Sequence, residues 1–400
     1  MTNPGKNILL LTNIPAPYRI PTFCCLDRLV GGELRVVFCA QREPGRPWTF
    51  PADEMDFEWK LLSESETKDS FINEVKTACG MLAFFTKRRP SAVICGGYDT
   101  LAAWSAFFWC KLLRRRFVLW LESNARDDRP CGLVRSGLKR FIISNADAIA
   151  ASGKASAEYV RQLGAQEERI YLARFGGDYE TFEREARKVN TLQEKRARGF
   201  PLKLILYSGR LIRAKGMFVL LEAFLKVAKE LPDAGLLVVG SGPESRAMEE
   251  FCQCAGLDRV FFEGPQAYNR MPYYYALADA LVLPTFSDSW GFVVNEAFAC
   301  GVPAIVSRVA GVCEDLILDG ETGFMVEPGD VEGLAEKILR VLKDSPSRSR
   351  MSFNCRMLIE NYSAESCAQG LFAAARGGLR SAATNEEIRP AESARCRITA

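Results

Sequence analysis

Short apolar segments alternate along most of the chain with longer segments that have helical periodicity. In the first half, segments of strand length fall at residues 7–12, 34–39, 91–95, 117–121 and 147–151. Helical patterns fall between the later ones, at residues 71–86, 100–113, 133–143 and 154–163. Apolar strands that alternate with helices of about 10–15 residues predict a parallel sheet with helices on both faces.

The alternation breaks near residue 181 and resumes near residue 202. Residues 181–200 are rich in Glu, Arg and Lys with little apolar periodicity, which predicts a linker. A second series follows, with strands predicted at 202–208, 235–239, 260–262, 280–283 and 304–306 and helices at 217–229 and 244–255. We therefore predict an α/β protein of two Rossmann-like, doubly wound domains, at residues 1–180 and 201–362.

The end of the chain is predicted to be helical and then polar. Residues 363–376 are predicted to form a helix, for which a return to the N-terminal domain is one option. Residues 377–400 are small and polar, which predicts disorder. Because ligands of open parallel sheets bind at the carboxyl ends of the strands, two such domains would share one cleft between them.

The composition narrows the classes of protein that the chain can belong to. Of its 400 residues 48% are hydrophobic and 25% charged, which is typical of a globular protein, and a net charge of +3 argues against a nucleic-acid binder. No signal-peptide pattern and no apolar run of the roughly 18–20 residues that span a bilayer is recognised, so we expect a cytoplasmic protein. The 14 irregularly spaced cysteines favour free thiols over a disulfide framework.

The chain contains no histidine. This excludes Ser-His and Cys-His nucleophile pairs and every His-ligated metal site. Chemistry with a phosphate leaving group remains compatible, because it needs positioned positive charge more than a titrating base.

The segment after the strand predicted at 280–283 indicates an anion site. A polar loop leads from this strand to Gly291, where no side chain blocks the approach of a ligand to the backbone. The amides of Phe292 and Val293, at the start of the next helix, would point at a phosphate above the sheet.

Two carboxylates flank this anion site. Glu296, about one turn into the helix, is placed to accept two hydrogen bonds from the vicinal hydroxyls of a ribose. Asp288, eight residues earlier, would reach the sugar side of the same ligand. Each residue alone is also explained as a helix-start or turn carboxylate, but their combination with Gly291 favours a ligand site.

Residues 287–297 (SDSWGFVVNEA) resemble the signature of the family-four, or group 1, retaining glycosyltransferases of the GT-B fold. That signature is a carboxylate followed, after seven residues, by a glutamate on a donor-domain helix. Here Asp288 stands where the family usually has Glu, which shortens its reach by one methylene. The resemblance implies transfer of a sugar from a UDP- or GDP-linked sugar to an acceptor hydroxyl, with retained anomeric configuration and with neither metal nor cofactor.

Three further stretches fit the same family, and together the resemblance covers residues 202–375. The stretch 207–216 resembles the first donor-domain strand and its basic loop, and it implies that Arg210 and Lys215 hold the donor diphosphate. The other two stretches are residues 238–243 and 262–265. The predicted catalytic residues are Arg210, Lys215, Asp288 and Glu296; the predicted donor-binding residues are Gly209, Gly240, Ser241, Gly242, Glu263, Gly264, Pro265, Gly291, Phe292 and Val293.

The first half resembles the family only in fold and general pattern. Its first strand-to-helix loop has two prolines where many relatives have paired glycines, so we expect Asn13, Tyr18 and Arg19 to act on the acceptor side through their side chains. Arg19 is also explained as a solvated residue at a helix start. Glu122 follows a central strand and is the polar group best placed to substitute for a histidine that relatives often have near the transferred sugar.

Residues 104–116 combine aromatic residues with one lysine and three arginines. The aromatic residues spread around the predicted helix, which favours a core helix with a basic end. Peripheral contact with the inner face of the membrane is the alternative, because many relatives glycosylate lipid-linked acceptors.

We therefore expect a glycosyltransferase of cell-surface polysaccharide or glycolipid biosynthesis, whose partners are a nucleotide sugar and a sugar- or lipid-linked acceptor. Two alternatives stay open. A sugar-nucleotide epimerase of the same fold would convert the donor without an acceptor, and a non-catalytic nucleotide-sugar-binding subunit would bind the donor without turnover.

Overall fold

The computed structural model describes residues 7–43, 50–64, 71–126 and 132–377. The strands are β1 (Ile8–Thr12), β2 (Leu34–Phe38), β3 (Glu58–Leu61), β4 (Ala92–Gly96), β5 (Arg116–Leu121), β6 (Ala148–Ala151), β7 (Ile170–Leu172), β8 (Lys203–Ser208), β9 (Ala234–Val239), β10 (Val260–Phe262), β11 (Ala280–Leu283), β12 (Ala304–Ser307) and β13 (Gly323–Val326). The tail predicted to be disordered lies, from residue 378 onward, outside the described residues.

The helices alternate with these strands. They are α1 (Ile20–Val30), α2 (Phe71–Arg88), α3 (Leu101–Leu112), α4 (Leu133–Asn145), α5 (Lys154–Gln162), α6 (Tyr179–Arg187), α7 (Thr191–Ala197), α8 (Met217–Glu230), α9 (Ser245–Ala255), α10 (Met271–Leu277), α11 (Val293–Ala299), α12 (Cys313–Leu316), α13 (Val331–Lys343), α14 (Ser345–Ile359) and α15 (Ala364–Arg376).

The strands form two parallel sheets, in the orders β3-β2-β1-β4-β5-β6-β7 and β10-β9-β8-β11-β12-β13. Their central strands are largely apolar and buried, as strands covered on both faces must be. Helices α2–α5 cover one face of the first sheet, and α1 and α15 cover the other. The predicted α/β architecture of two Rossmann-like units is confirmed.

Residues 181–200, predicted to be a linker, are mostly helical in the structure and belong to α6 and α7. Phe182 is the apolar anchor of α6, since its ring packs against those of Tyr268 and Tyr275. These helices were not recognised from the sequence because few of their residues are apolar. The short strands β3, β7 and β13 were also missed; β3 is largely exposed, so it carries no apolar run.

The last helix, α15, lies on the first sheet although it follows the second one in sequence. Leu371 is fully buried in the core that α1 and the first sheet share, and the Arg116 guanidinium donates to the Ala374 carbonyl over 2.7 Å. The segment that leads back to the first half, before α15, lies beside the segment that leads from the first half to the second. There the Ala364 amide donates to the Gly177 carbonyl. A Cβ at Gly176 would lie 2.1 Å from the Ser363 carbonyl oxygen, so the two crossing segments need glycine to come this close.

A buried carboxylate also connects the two halves. Asp315, in α12, accepts a hydrogen bond from the Lys154 amide at the start of α5 over 2.9 Å and from the Tyr362 hydroxyl over 3.1 Å. Burial raises the pKa of Asp315 to about 6, against the lowering effect of these two donors. The first turn of α5 is therefore capped by a residue of the other half.

Two general properties of the described ranges complete the fold. None of the helices there is both long and apolar enough to cross a bilayer. The described cysteines are free thiols, and most of them are buried.

Candidate active site

A cavity of about 440 Å³ opens between the two halves, at the carboxyl ends of β8, β9 and β11. The sequence-predicted residues that line it are Tyr18, Glu122, Gly209, Arg210, Lys215, Gly240, Ser241, Pro265, Asp288, Gly291, Phe292, Val293 and Glu296. The sequence-predicted residues outside its lining are Asn13, Arg19, Gly242, Glu263 and Gly264. The structure thus brings both predicted cations and both predicted carboxylates to one cavity.

Glycines let the backbone of the second half form part of the cavity wall. Gly240 has φ +144°, and a Cβ there would lie 1.9 Å from the Gly209 carbonyl oxygen. Gly291 has φ +103°, and its Cβ would lie 2.9 Å from a methyl group of Leu283. Any side chain at these positions would be strained or would clash, so a ligand meets the backbone directly.

The two predicted cations stand in different surroundings. The Lys215 ammonium donates to Asp288 Oδ2 over 2.6 Å and to the Ser287 carbonyl over 3.1 Å. Arg210 is exposed at the cavity, and its carbonyl accepts a hydrogen bond from the buried Tyr207 hydroxyl. Asp288 is therefore paired with a cation, whereas the sequence predicted that it would reach a sugar.

Glu296 lies in the first turn of α11 and is only 5% exposed. The Tyr275 hydroxyl donates to its Oε2 over 2.6 Å. Burial raises the pKa of Glu296 to about 7, although the hydrogen bond from Tyr275 opposes this increase. Near neutral pH the group is therefore divided between a neutral acid and a carboxylate that accepts hydrogen bonds.

The loop before α11 is fixed from behind. The Trp290 indole donates to Asn295 Oδ1 over 2.8 Å, and the Asn295 amide donates to the Phe175 carbonyl over 3.0 Å. The Phe175 ring stacks on Trp290 with centroids 5.7 Å apart. From the first half, the Asn124 side-chain amide donates to the Ser289 carbonyl over 3.0 Å. Residues far apart in sequence thus hold the carboxylate loop in one position.

On the acceptor side, Arg19 lies below the cavity surface. Its guanidinium pairs with Glu122, donates to Thr12 Oγ1 over 3.1 Å and lies 4.7 Å from the centre of the Trp120 ring. Glu122 itself lines the cavity. Neither expectation for Arg19, direct substrate contact or a solvated helix start, fits this arrangement, because Arg19 reaches the cavity through Glu122.

Of the two remaining acceptor-side residues, one lines the cavity and the other does not. Tyr18 lines the cavity, and its ring contacts that of Phe292 across the cleft with centroids 4.5 Å apart. Asn13 lies outside the lining, and its carbonyl accepts a hydrogen bond from the Ala40 amide within the first half.

Three donor-binding predictions also fall outside the cavity lining, for structural reasons. The Glu263 carboxylate pairs with Arg198 over 2.7 Å and accepts from the Tyr274 hydroxyl. A Cβ at Gly242 would lie 2.2 Å from the Leu211 carbonyl oxygen, and the Gly264 carbonyl accepts from the Gly240 amide. These residues shape the loops behind the site.

Several cavity residues were not found from the sequence. They are Phe175, Tyr207, Ser208, Val239, Gln266, Tyr268, Met271, Leu283, Ser287, Ser289 and Trp290 in the lining, with Tyr275 behind Glu296. The run of three tyrosines at 273–275 was the available signal, but nothing in it distinguishes Tyr275 from its neighbours. Among the residues that the structure describes, no three acidic or cysteine side chains lie close enough together to hold a metal ion.

Two facing Rossmann-like sheets with a cavity between them define a protein of the GT-B type, and solved structures share this fold. The HepE protein of Anabaena in complex with UDP-glucose has a TM-score of 0.75 at 17% identity, over 93% of this chain and 99% of that one. Sucrose-phosphate synthase of Thermosynechococcus elongatus has a TM-score of 0.72 at 21% identity, over 92% of this chain and 98% of that one.

The match to a known protein family lies in the second half of the chain. Residues 189–357 match the model of the glycosyl transferases group 1. The match includes every predicted donor-side residue and confirms the resemblance seen in the sequence.

Curated relatives also match this chain over part of its length. A D-inositol 3-phosphate glycosyltransferase of Xylanimonas cellulosilytica is 31% identical over 226 residues, which are 54% of this chain and 53% of that protein. An N-acetyl-α-D-glucosaminyl L-malate synthase of Bacillus anthracis is 34% identical over 155 residues, 38% of this chain and 40% of that protein. The chain therefore spans about half the length, or less, of these relatives.

Proposed function

We propose that this protein transfers a glycosyl unit from a nucleoside diphosphate sugar to an acceptor hydroxyl with retention of the anomeric configuration. The observation that carries this proposal is the convergence of Arg210, Lys215, the Gly291 backbone and Glu296 on one cavity. A chain without histidine performs such a reaction if positive charge, not a titrating base, assists the leaving group.

The leaving group is a nucleoside diphosphate. As the bond between the anomeric carbon and the diphosphate oxygen breaks, negative charge grows on the diphosphate, and Arg210 and Lys215 stabilise it. The acceptor oxygen forms its bond to the anomeric carbon from the same face, and its proton passes to a departing phosphate oxygen. The cations take the part that a metal ion has in other transferases, so the proposed reaction is independent of metal.

The carboxylates have separate roles in this proposal. Glu296, ionised, accepts hydrogen bonds from the ribose hydroxyls of the donor. Asp288 holds Lys215 in place through the 2.6 Å ion pair and meets the sugar only at the edge of the site. Glu122, held by Arg19, contributes a carboxylate from the first half to the sugar or the acceptor.

The proposal defines the acceptor only as a class of molecules with a free hydroxyl group. Its role in the proposal is cell-surface polysaccharide or glycolipid biosynthesis. The two curated relatives carry names that include D-inositol 3-phosphate and L-malate, which are small acceptors with a hydroxyl group. A first panel therefore combines UDP- and GDP-sugars with these two acceptors and with lipid-linked sugars.

The test replaces Glu296 with alanine and, as a matched control, Glu263, a carboxylate outside the cavity that is paired with Arg198. Glu296→Ala should abolish donor binding in calorimetry while the thermal transition remains cooperative, and Glu263→Ala should still bind. Full transfer activity in Glu296→Ala would refute the assignment. Proton NMR of the product gives its anomeric configuration, which must match that of the donor.

Reactions without acceptor separate the alternatives. An epimerised nucleotide sugar in that sample would identify an epimerase. Donor binding with neither transfer nor hydrolysis, over the whole panel, would identify a binding subunit.

A further inference from the structure

Of the described residues of the first half, Tyr18, Glu122 and Phe175 line the cavity. Two of them are aromatic, so Glu122 is the charge that this wall presents. Its side chain is 25% exposed, which leaves part of the carboxylate open to the cavity. A ligand therefore meets the first half through two aromatic rings and one carboxylate.

A cation beneath this carboxylate fixes its position. The Arg19 guanidinium pairs with Glu122, donates to Thr12 Oγ1 over 3.1 Å and lies 4.7 Å from the centre of the Trp120 ring. Thr12 ends β1 and Trp120 lies in β5, so the guanidinium lies across the end of β4, where a Cβ at Gly96 would be 3.6 Å from it. Glu122 is therefore a carboxylate of fixed orientation, and a carboxylate accepts hydrogen bonds but donates none.

Glu122 enters the cavity beside the loop that carries Asp288. Asn124, two residues further along the chain, donates from its side-chain amide to the Asp288 carbonyl over 3.3 Å and to the Ser289 carbonyl over 3.0 Å. Asp288 pairs in turn with Lys215, one of the cations proposed for the diphosphate. Because the transferred sugar is joined directly to the diphosphate, it lies next to these cations, where Glu122 also lines the cavity.

The two carboxylates at this end of the cavity are each paired with a cation, Glu122 with Arg19 and Asp288 with Lys215. Each can accept a hydrogen bond from a sugar hydroxyl, and such charge-assisted bonds are among the stronger ones in proteins. A carboxylate on the sugar itself could donate no hydrogen bond to them, and in a cavity of about 440 Å³ it would be repelled by both. The charges therefore favour a neutral sugar over a uronic acid.

We propose that Glu122, positioned by Arg19, selects the donor sugar: it binds the hydroxyl groups of a neutral sugar and excludes a uronic acid. Glu122 contacts the sugar, whereas Arg19 acts through Glu122. The inference rests on the proposed function, because it concerns the sugar of the nucleotide donor. It assigns part of the donor specificity to the first half, although the family match at residues 189–357 lies in the second.

The experiment measures donor binding by calorimetry without acceptor, with UDP and GDP alone as the reference. Each uronic acid donor is compared with the neutral donor of the same nucleotide and configuration: UDP-glucuronate with UDP-glucose, UDP-galacturonate with UDP-galactose, and GDP-mannuronate with GDP-mannose. For the nucleotide that the protein uses, the neutral donor should bind about 10–100-fold more tightly, the effect of one like charge near a partly exposed site.

Glu122→Gln keeps the size of the side chain and removes its charge. It should bring the two dissociation constants within about threefold of each other, since an amide can donate to a sugar carboxylate. Arg19→Met should weaken binding of the neutral donor, and Arg19→Lys should restore it. Neither Glu122→Gln nor Arg19→Met should change the affinity for UDP or GDP alone, whereas a structural defect would weaken that as well.

The matched control is Glu158→Gln, at an exposed carboxylate of α5 that pairs with Arg161. It should bind every donor like the unmodified protein. Circular dichroism shows whether the variants are folded, and Glu122→Gln, at a partly exposed position, decides the question if Arg19→Met does not fold.

Equal binding of neutral and uronic acid donors by the unmodified protein overturns the inference and leaves the proposed function intact. An unchanged ratio in Glu122→Gln also overturns it, as does a Glu122→Gln variant in which only the KM of the acceptor rises, because Glu122 would then contact the acceptor. Binding of no nucleotide sugar at all would refute the proposed function itself, and the inference with it.

Discussion

Removal of the Tyr275 hydroxyl tests whether the ionisation of Glu296 controls donor use. The hydroxyl donates over 2.6 Å to a carboxylate that is 5% exposed. A hydrogen bond to a charged group contributes about 1.5–3 kcal/mol. Since one pKa unit corresponds to about 1.4 kcal/mol, Tyr275→Phe should raise the pKa of Glu296 from about 7 by about 1–2 units.

The consequence appears in the pH dependence of kcat/KM, which reports groups of the free enzyme. If the ribose is bound by ionised Glu296, kcat/KM of the unmodified protein increases with pH and levels off above about 7. In Tyr275→Phe the midpoint should shift to higher pH by about 1–2 units, while the plateau at alkaline pH is largely retained.

Tyr274→Phe is the control, because the Tyr274 hydroxyl donates to Glu263 outside the cavity lining. Its profile should coincide with that of the unmodified protein. Identical midpoints for Tyr275→Phe and the unmodified protein would show that Glu296 does not bind the donor as a carboxylate. A uniform loss at every pH would show that the Tyr275 hydroxyl assists turnover without setting the ionisation of Glu296.

Three further predictions concern the cations, the connection between the halves and metal. Lys215→Met should lower kcat about 10²–10³-fold through loss of positive charge at the leaving group, whereas Arg213→Met, at an exposed residue paired with Glu244, should leave kcat unchanged in the same assay. Asp315→Ala should lower the free energy of unfolding by about 1–3 kcal/mol in urea titrations, because it leaves buried donors without a partner; no such loss is expected for the exposed Asp319→Ala. Transfer should proceed at an unchanged rate in EDTA, and complete inactivation would contradict metal independence.

The parts of the fold that were predicted are those specified by local patterns. The strand predicted at 280–283 coincides with β11, because an apolar run closed by proline is a local signal. β3 was missed because the sequence Glu-Trp-Lys-Leu alternates charged and apolar residues at an exposed sheet edge. α6 was missed because its anchor, Phe182, is recognisable only from the tyrosines that pack against it.

The site shows the same division. The positions of Gly291 and Glu296 follow from a strand, a loop and a helix that are consecutive in sequence. The pairing of Lys215 with Asp288, 73 residues away, and of Tyr275 with Glu296 depends on how strands of the sheet are ordered. The sequence did not show that Glu263 pairs with Arg198 outside the cavity lining, because the position of a loop residue does not determine the direction of its side chain.

The course of α15 has a consequence for chimeras and fragments. Leu371 and Ala374 complete the hydrophobic core of the first sheet, although they are encoded after the whole of the second sheet. A truncated chain that ends before residue 364 would expose that core, and a separately expressed N-terminal half would need residues 364–376 supplied as a peptide. Exchange of donor specificity between relatives by grafting would therefore require an insertion with two junctions, one near Gly177 and one near Ser363, where the segments already lie side by side.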